Sequence, residues 1–337
     1  MPRLPTPLTL PHQREDRAAA ANGDDGPGPG PARTGDPRRT LRRRRRSESA
    51  TAWAFVAPSV AVIIGLSILP VVWSLLLSFQ ADDLVTPSRW VGLDNYRALR
   101  KDPHFSQAVG NTLKYTAMYV PLSMILGLAL ALALNRRIRL VGLYRTLIFV
   151  PFVISATAQG VLFSFILDPQ FGAANSLLHK LGIPAQGFLT DPGQALYVLV
   201  AISLWSGTGF CLVVYLAALQ DVPPSLIEAA KLDGAGRFHL LRHVVLPTLA
   251  PVNVFLVIWQ LIESLQVFDL VYVTTKGGPL GSTTVIVYFI WQQAFQNFTA
   301  GYGAAAAYVL AVVLFAIAAG TRALRRRGPA GPEGAAR

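Results

Sequence analysis

Charge is scarce in this chain. Asp, Glu, Lys and Arg make up 14% of the 337 residues and hydrophobic residues 52%, whereas an average soluble domain carries about 25% charged residues. The mean hydropathy of +0.43 agrees, and together these values point to a membrane protein. Acids are scarcer still, 18 against 30 Lys and Arg. Cysteine is nearly absent. Cys211 stands alone inside an apolar run, which excludes an intrachain disulfide and most thiolate metal sites. No Walker phosphate loop, HExxH or Cys/His cluster occurs, so no ATPase or zinc-hydrolase motif is present. The expectation is a chain that is not an enzyme and holds no metal or cofactor of its own.

Long apolar runs are what the sequence has instead. Six are long enough to cross a hydrocarbon core of about 30 Å as helices, near 53–79, 112–134, 146–167, 195–219, 248–273 and 303–323. The arginines set the expected orientation. Residues 33–46 hold eight, 136–145 hold four with no acid, and 322–327 hold four more. The intervening segments 80–111, 168–194 and 274–302 hold only Arg89, Arg97, Arg100, Lys101, Lys180 and Lys276. By the positive-inside rule both termini are cytoplasmic and the protein is multi-pass in the cell (cytoplasmic) membrane. The net charge of +12 is therefore mostly a topology signal facing membrane lipids, and no nucleic-acid partner is expected from the Arg42–Arg46 run.

Residues 1–50 differ in kind: they are rich in Pro, Gly, Arg and Asp, contain PGPGPAR and lack apolar periodicity. They read as a disordered basic cytoplasmic tail. The run after them is about 27 residues, too long for the 7–15 of a signal-peptide core, so an uncleaved anchor is expected. The membrane domain is expected over 51–327, with a second cytoplasmic tail over 328–337.

Between the fourth and fifth runs lies EAAKLDGAGRFHLLRHVVLP, residues 228–247. Pro223-Pro224-Ser225 is a helix start at which Ser225 can cap. Leu226 to Leu232 are good helix formers, with Glu228 near the positive end of the dipole. Asp233-Gly234 is a stop and turn. Phe238, Leu241 and Val245 then recur at helical spacing among Arg237, His239, Arg242 and His243. The expectation is a compact knob: short helix, glycine hinge, short helix.

This segment resembles the EAA loop of the permease subunits of binding-protein-dependent ABC transporters. That pattern runs EAA, three residues, Gly, nine residues, then Ile-x-Leu-Pro. Glu228, Ala229, Ala230, Gly234, Leu246 and Pro247 match it, with Val244 in the Ile place. The resemblance extends over 53–327, through WVGLDNY at 90–96, Leu204-Trp205 and Gly209-Phe210, Tyr215-Leu216-Ala217, and Leu219-Gln220. Phe268-Asp269, Tyr272-Val273, Thr274 through Gly277-Gly278-Pro279, and Gly301-Tyr302-Gly303-Ala304 resemble the sugar-permease branch. That branch includes the first permease subunits of maltose-type and glycerol-3-phosphate-type importers. The resemblance implies an all-α polytopic fold of six transmembrane helices with a cytoplasmic coupling loop. It also implies that Glu228, Ala229, Ala230, Asp233, Gly234, Leu246 and Pro247 dock a separate ATPase. The implied partners are a second permease subunit in a heterodimer, an ATP-binding subunit dimer and an extracytoplasmic solute-binding protein. ATP would be bound by the partner, not by this chain.

The fifth run carries a polar face. At about 100° per residue Asn253, Gln260 and Ser264 line up, with Glu263, Trp259 and Gln266 on the adjoining flank. Such a face in a spanning helix points into a bundle interior or a water-filled cavity. Amides, a carboxylate and indole suit sugar hydroxyls and ring faces, and Trp205, Ser206 and Thr208 could form the opposite wall. For each residue singly, helix-to-helix hydrogen bonding is the competing role. Three rival readings remain: an ion-gradient-driven secondary transporter, a permease for a non-sugar solute, and a membrane enzyme. The first would call for internal repeats and paired intramembrane charges, of which only Glu263 and Asp269 are seen. The last would need a third ligand beside His239 and His243.

Overall fold

The computed structural model describes residues 53–83, 85–136 and 139–327. The expected tails over 1–50 and 328–337 lie outside the described residues. The chain divides into two units, Met1–Ile64 and Gly65–Arg337. In the first, the described residues are helical, with Trp53, Phe55, Val62 and Ile63 exposed.

Helix α1 (Trp53–Leu77) contains a π turn at Ile64–Ile68. A two-stranded antiparallel ribbon follows, β1 (Gln80–Ala81) and β2 (Arg89–Trp90), with Gln80 opposite Trp90. Next come α2 (Asp94–Lys101), α3 (Pro103–Leu134), α4 (Val141–Val153) and α5 (Ala156–Ile166). After them run α6 (Ala173–Lys180), α7 (Ala195–Gln220), α8 (Pro224–Leu232), α9 (Arg237–Leu240) and, past a π turn at Leu241–Val245, α10 (Leu246–Thr248). The chain closes with α11 (Ala250–Leu265), α12 (Asp269–Thr274), α13 (Ile286–Trp291) and α14 (Ala300–Arg327). Among the described residues five helical segments are long and apolar enough to cross a membrane, and the bent pair α4–α5 makes a sixth where it is taken as one span.

The bent pair is the main departure from the sequence reading. The run expected over 146–167 is not one straight helix: α4 and α5 meet at 98°. Ser155 N-caps α5 by accepting from the Ala158 N–H at 3.3 Å, and buried Gln159 donates to the carbonyls of Ile154 (2.7 Å) and Pro151 (3.2 Å). A side chain thus satisfies the backbone that the break would leave bare in an apolar medium. The second span also starts earlier than 112, because Asp102 caps α3 through the His104 N–H and Pro103 occupies its first position.

The α3–α7 pair forms the centre. A side-chain carbon on Gly127 would collide with Cys211 Cβ, and one on Gly207 with the Tyr119 hydroxyl. Glycine at both positions lets the two backbones approach closely, as small residues do between membrane helices. Two apolar clusters flank the crossing, one around Tyr115, Leu199 and Val271, the other around Leu212, Tyr215 and Leu256. A third, around Leu99, Phe289 and Ala305, holds α2 and α13 to α14.

The WVGLDNY segment proves to be a fastener. Asn95 Nδ2 donates to the carbonyls of Ser78 and Gln80, both at 2.9 Å, and the Tyr96 hydroxyl meets Ser78 Oγ at 2.8 Å. The Thr274–Pro279 turn is sewn shut in the same manner. Thr284 Oγ1 donates to the Gly277 carbonyl at 3.0 Å and Thr283 Oγ1 to that of Gly278 at 2.7 Å. Gly277 sits at φ +79 with Tyr288 carbon 2.8 Å from where a Cβ would lie, so both conformation and space require glycine.

From the knob to the fifth span the ladder barely breaks. The Leu249 N–H donates to the Val245 carbonyl (2.9 Å) and the Asn253 N–H to that of Leu249 (2.8 Å), carrying helical bonding past Pro247 and Pro251.

Candidate functional site

Two places concentrate function-bearing groups, one at each end of α11. The first is the knob. Pro223 is the N-cap of α8 and Pro224 its first residue, so Ser225 does not cap as the sequence suggested; the ring-fixed φ of Pro224 starts the helix instead. At the other end the Ala235 N–H reaches the Ala230 carbonyl (2.9 Å) and the Gly234 N–H that of Lys231 (3.0 Å). That pair of bonds is a Schellman stop, with Gly234 at φ +81 in the left-handed position. Space around Gly234 is open, so its requirement is conformational and not steric.

Phe238, Leu241 and Val245 do not form one stripe. The π turn Leu241–Val245 adds a residue to the helical turn and rotates the face, burying Val245 and leaving Phe238 74% exposed. Leu232 at 89% and Leu226 are exposed as well, beside exposed Glu228, Ala229, Asp233 and Pro247; Ala230 and Leu246 are half-buried. Large apolar side chains displayed together on so short a segment suit burial against another protein. The sequence reading gave no docking role to Leu226, Leu232 or Phe238, although apolar residues inside a proline- and glycine-bounded polar loop were the available signal. His239 and His243 stack at 4.1 Å between ring centroids, and no cluster of three metal-ligating residues occurs among the described residues.

The second place is a cavity of about 260 Å³ where α3, α5, α7 and the α11–α12 break converge. Glu263, Gln266 and Asp269 line it from the fifth span, Ser203 and Ser206 from α7, Tyr115 and Tyr119 from α3, and Gln159 from α5. Tyr115 donates to Ser203 Oγ at 2.7 Å and stacks on Tyr119 at 5.7 Å. Two interrupted spans, α4–α5 and α11–α12, both break beside this cavity. Irregular backbone within a membrane is tolerated where it lines a cavity or is buried in protein.

The polar face read from the sequence is divided by the structure. Glu263 lines the cavity. Gln260, 2% exposed, stands one layer behind, its Nε2 within reach of Ser123 Oγ (2.8 Å), the Tyr119 hydroxyl (3.4 Å) and Cys211 Sγ (3.4 Å). Asn253 Oδ1 accepts from the Tyr215 hydroxyl at 2.8 Å, and buried Ser264 donates to its own helix at Leu261. Trp259 belongs to an aromatic row, stacked 5.3 Å from Phe210. Trp205 packs edge-on to Phe163 at 5.2 Å and faces an apolar groove with Leu126, Leu147 and Pro151. Tyr115, Tyr119, Gln159 and Ser203 were missed because their convergence depends on helix packing, which local periodicity does not encode.

Gln260 accordingly makes a structural prediction. Gln260→Ala strips partners from buried Ser123 and Tyr119, a loss of about 1–3 kcal/mol. The expected result is a lower melting temperature and lower yield in detergent with nearly unchanged solute KM. A raised KM at unchanged yield would move Gln260 into the path itself.

Comparison with known proteins gives a consistent picture. The family model described as "binding-protein-dependent transport system inner membrane component" matches residues 123–327. The lactose transport system permease protein LacF of Rhizobium radiobacter is 36% identical over 270 residues, covering 78% of this chain and 89% of that protein. The sn-glycerol-3-phosphate transport system permease protein UgpA of Pectobacterium atrosepticum is 30% identical over 267 residues, covering 79% and 90%. In structure, a bacterial ABC transporter involved in import of the acidic polysaccharide alginate superposes with a TM-score of 0.75 at 24% identity, over 87% of this chain and all of the matched one. These matches, with a polytopic helical fold, support binding-protein-dependent transport and give no support to the ion-gradient reading. The chain belongs to the family of inner-membrane components of binding-protein-dependent transport systems.

Proposed function

We propose that this chain is a permease subunit of an ABC importer that provides the path for a sugar or sugar-like solute. The observation that carries the reading is an exposed apolar knob at one end of α11 and a hydroxyl- and amide-lined cavity at the other. The knob, through Glu228, Ala229, Ala230, Asp233, Gly234, Leu246 and Pro247, meets a separate ATPase that binds ATP. A second permease subunit completes the path and an extracytoplasmic binding protein delivers solute. The arginine distribution supports a cytoplasmic position for both termini and the knob by the positive-inside rule. Relatives named for lactose and sn-glycerol-3-phosphate support the polyol class.

Mechanistically, ATPase closure moves the knob, and the differential affinity of the ATPase for its two arrangements biases the bundle between two openings. Solute hydroxyls exchange water for the tyrosine, serine, amide and carboxylate groups of the cavity. This chain's residues bind and orient; no bond is made or broken on them. The test is uptake into proteoliposomes holding the assembled transporter, with labelled sugars as probes. Uptake is expected to need ATP and the binding protein and to survive a protonophore. Uptake that ignores ATP and collapses with the ion gradient would overturn the proposal.

A further inference from the structure

The cavity has a sign. Glu263 and Asp269 both line it, and no Lys, Arg or His is among its lining residues. Both residues are exposed, and neither carboxylate hydrogen-bonds or ion-pairs with another described residue. Lys114, a cation on the same stretch of α3, opens onto a different cavity with Gln107, Asn111 and Tyr197. From this we infer that the solute carried through this chain bears no negative charge: it is a neutral or an amino-bearing polyol. The inference rests on the proposed reading of the cavity as the solute path.

Carboxylates accept hydrogen bonds and, ionised, cannot donate them. Sugar hydroxyls and ammonium groups donate, giving charge-assisted bonds stronger than neutral ones. A phosphate, sulfonate or uronate would instead stand against two like charges. At about 5 Å and an effective dielectric near 20, one such repulsion weakens binding by roughly a hundredfold or more. Tyr115 and Tyr119, with rings stacked at 5.7 Å, add wall and hydroxyl but no compensating positive charge.

The experiment supplies cells carrying the complete transporter, and cells lacking only this chain, with an equimolar mixture of probes. The mixture holds lactose, glucose, glucosamine, galacturonate and sn-glycerol-3-phosphate, together with sorbitol and a tripeptide of neutral side chains blocked at both termini, and depletion is followed by mass spectrometry. Depletion that depends on this chain is expected for neutral or amino-bearing probes. In the same cells Glu263→Gln should cut that uptake by about tenfold, the scale of one charged hydrogen bond, with membrane level and ATPase co-purification unchanged. Chain-dependent depletion of galacturonate or sn-glycerol-3-phosphate would overturn the charge rule and leave the sugar-class reading standing. Depletion of the tripeptide alone would do the reverse. Full uptake in both Glu263→Gln and Asp269→Asn would also overturn the rule, because the carboxylates would then have no part in recognition.

Discussion

Gly234→Asp is expected to leave the protein inserted in the membrane while uptake falls by more than an order of magnitude and the ATPase no longer co-purifies. The cause is the backbone. Gly234 holds φ +81 at the Schellman stop of α8, where an L side chain costs about 1–2 kcal/mol. Nothing lies within 4 Å of an added Cβ, so this is pure conformational strain, worsened by a second carboxylate next to Asp233. The knob relieves it by redirecting α9 and, with it, the exposed Phe238. Asn carries a similar backbone cost in the left-handed region but adds no second carboxylate beside Asp233, so Gly234→Asn should retain more of the uptake than Gly234→Asp. Normal uptake and normal ATPase recovery in the Asp variant would show that the knob's shape does not matter.

Gly127→Leu should be more damaging still, because it attacks the fold. Gly127 on α3 lies against Cys211 Cβ on α7, where even one added carbon collides. Overpacking a close crossing costs typically 1–3 kcal/mol, and the whole α3–α7 pair would have to part to admit leucine. The expected outcome is little or no monodisperse protein in detergent. Gly127→Ala should be intermediate, and Gly127→Ala combined with Cys211→Gly should recover yield, a coupling that a double-mutant cycle measures. Additive losses in the double variant would mean that the two positions do not meet.

Most of the helical plan is legible in the sequence because lipid imposes it: six apolar runs yield five spanning helices and one bent pair. What escaped was the geometry inside a run. Hydropathy treats 146–167 as uniform, while the bend depends on Ser155 as a cap and on Gln159 folding back to Ile154 and Pro151. The polar opening of α3 at residues 103–111 likewise falls below any hydropathy threshold, although Asp102-Pro103 is a readable start. At the site, periodicity put Asn253, Gln260 and Ser264 on one side of α11. It could not say that Tyr215, Ser123 and Tyr119 wait there, nor that Glu263, with Gln266 and Ser206, lines the cavity while Gln260 stands behind it. Helical spacing fixes a direction, and only packing decides what stands in that direction.

The near-continuous ladder from the knob into α11 makes the fifth span a lever. No loop between Val245 and Asn253 is slack enough to absorb a push, since the bonds at Leu249 carry it through. From Leu249 to Glu263 the arm is about 21 Å at 1.5 Å per residue, so a tilt of roughly 10° sweeps the carboxylate by ~4 Å. That travel exceeds the length of a hydrogen bond. On the proposed reading of the cavity as the solute path, a small rotation imposed at the knob would be enough to make or release a hydrogen bond from Glu263 to a solute hydroxyl, with the span itself unchanged in length and internal bonding.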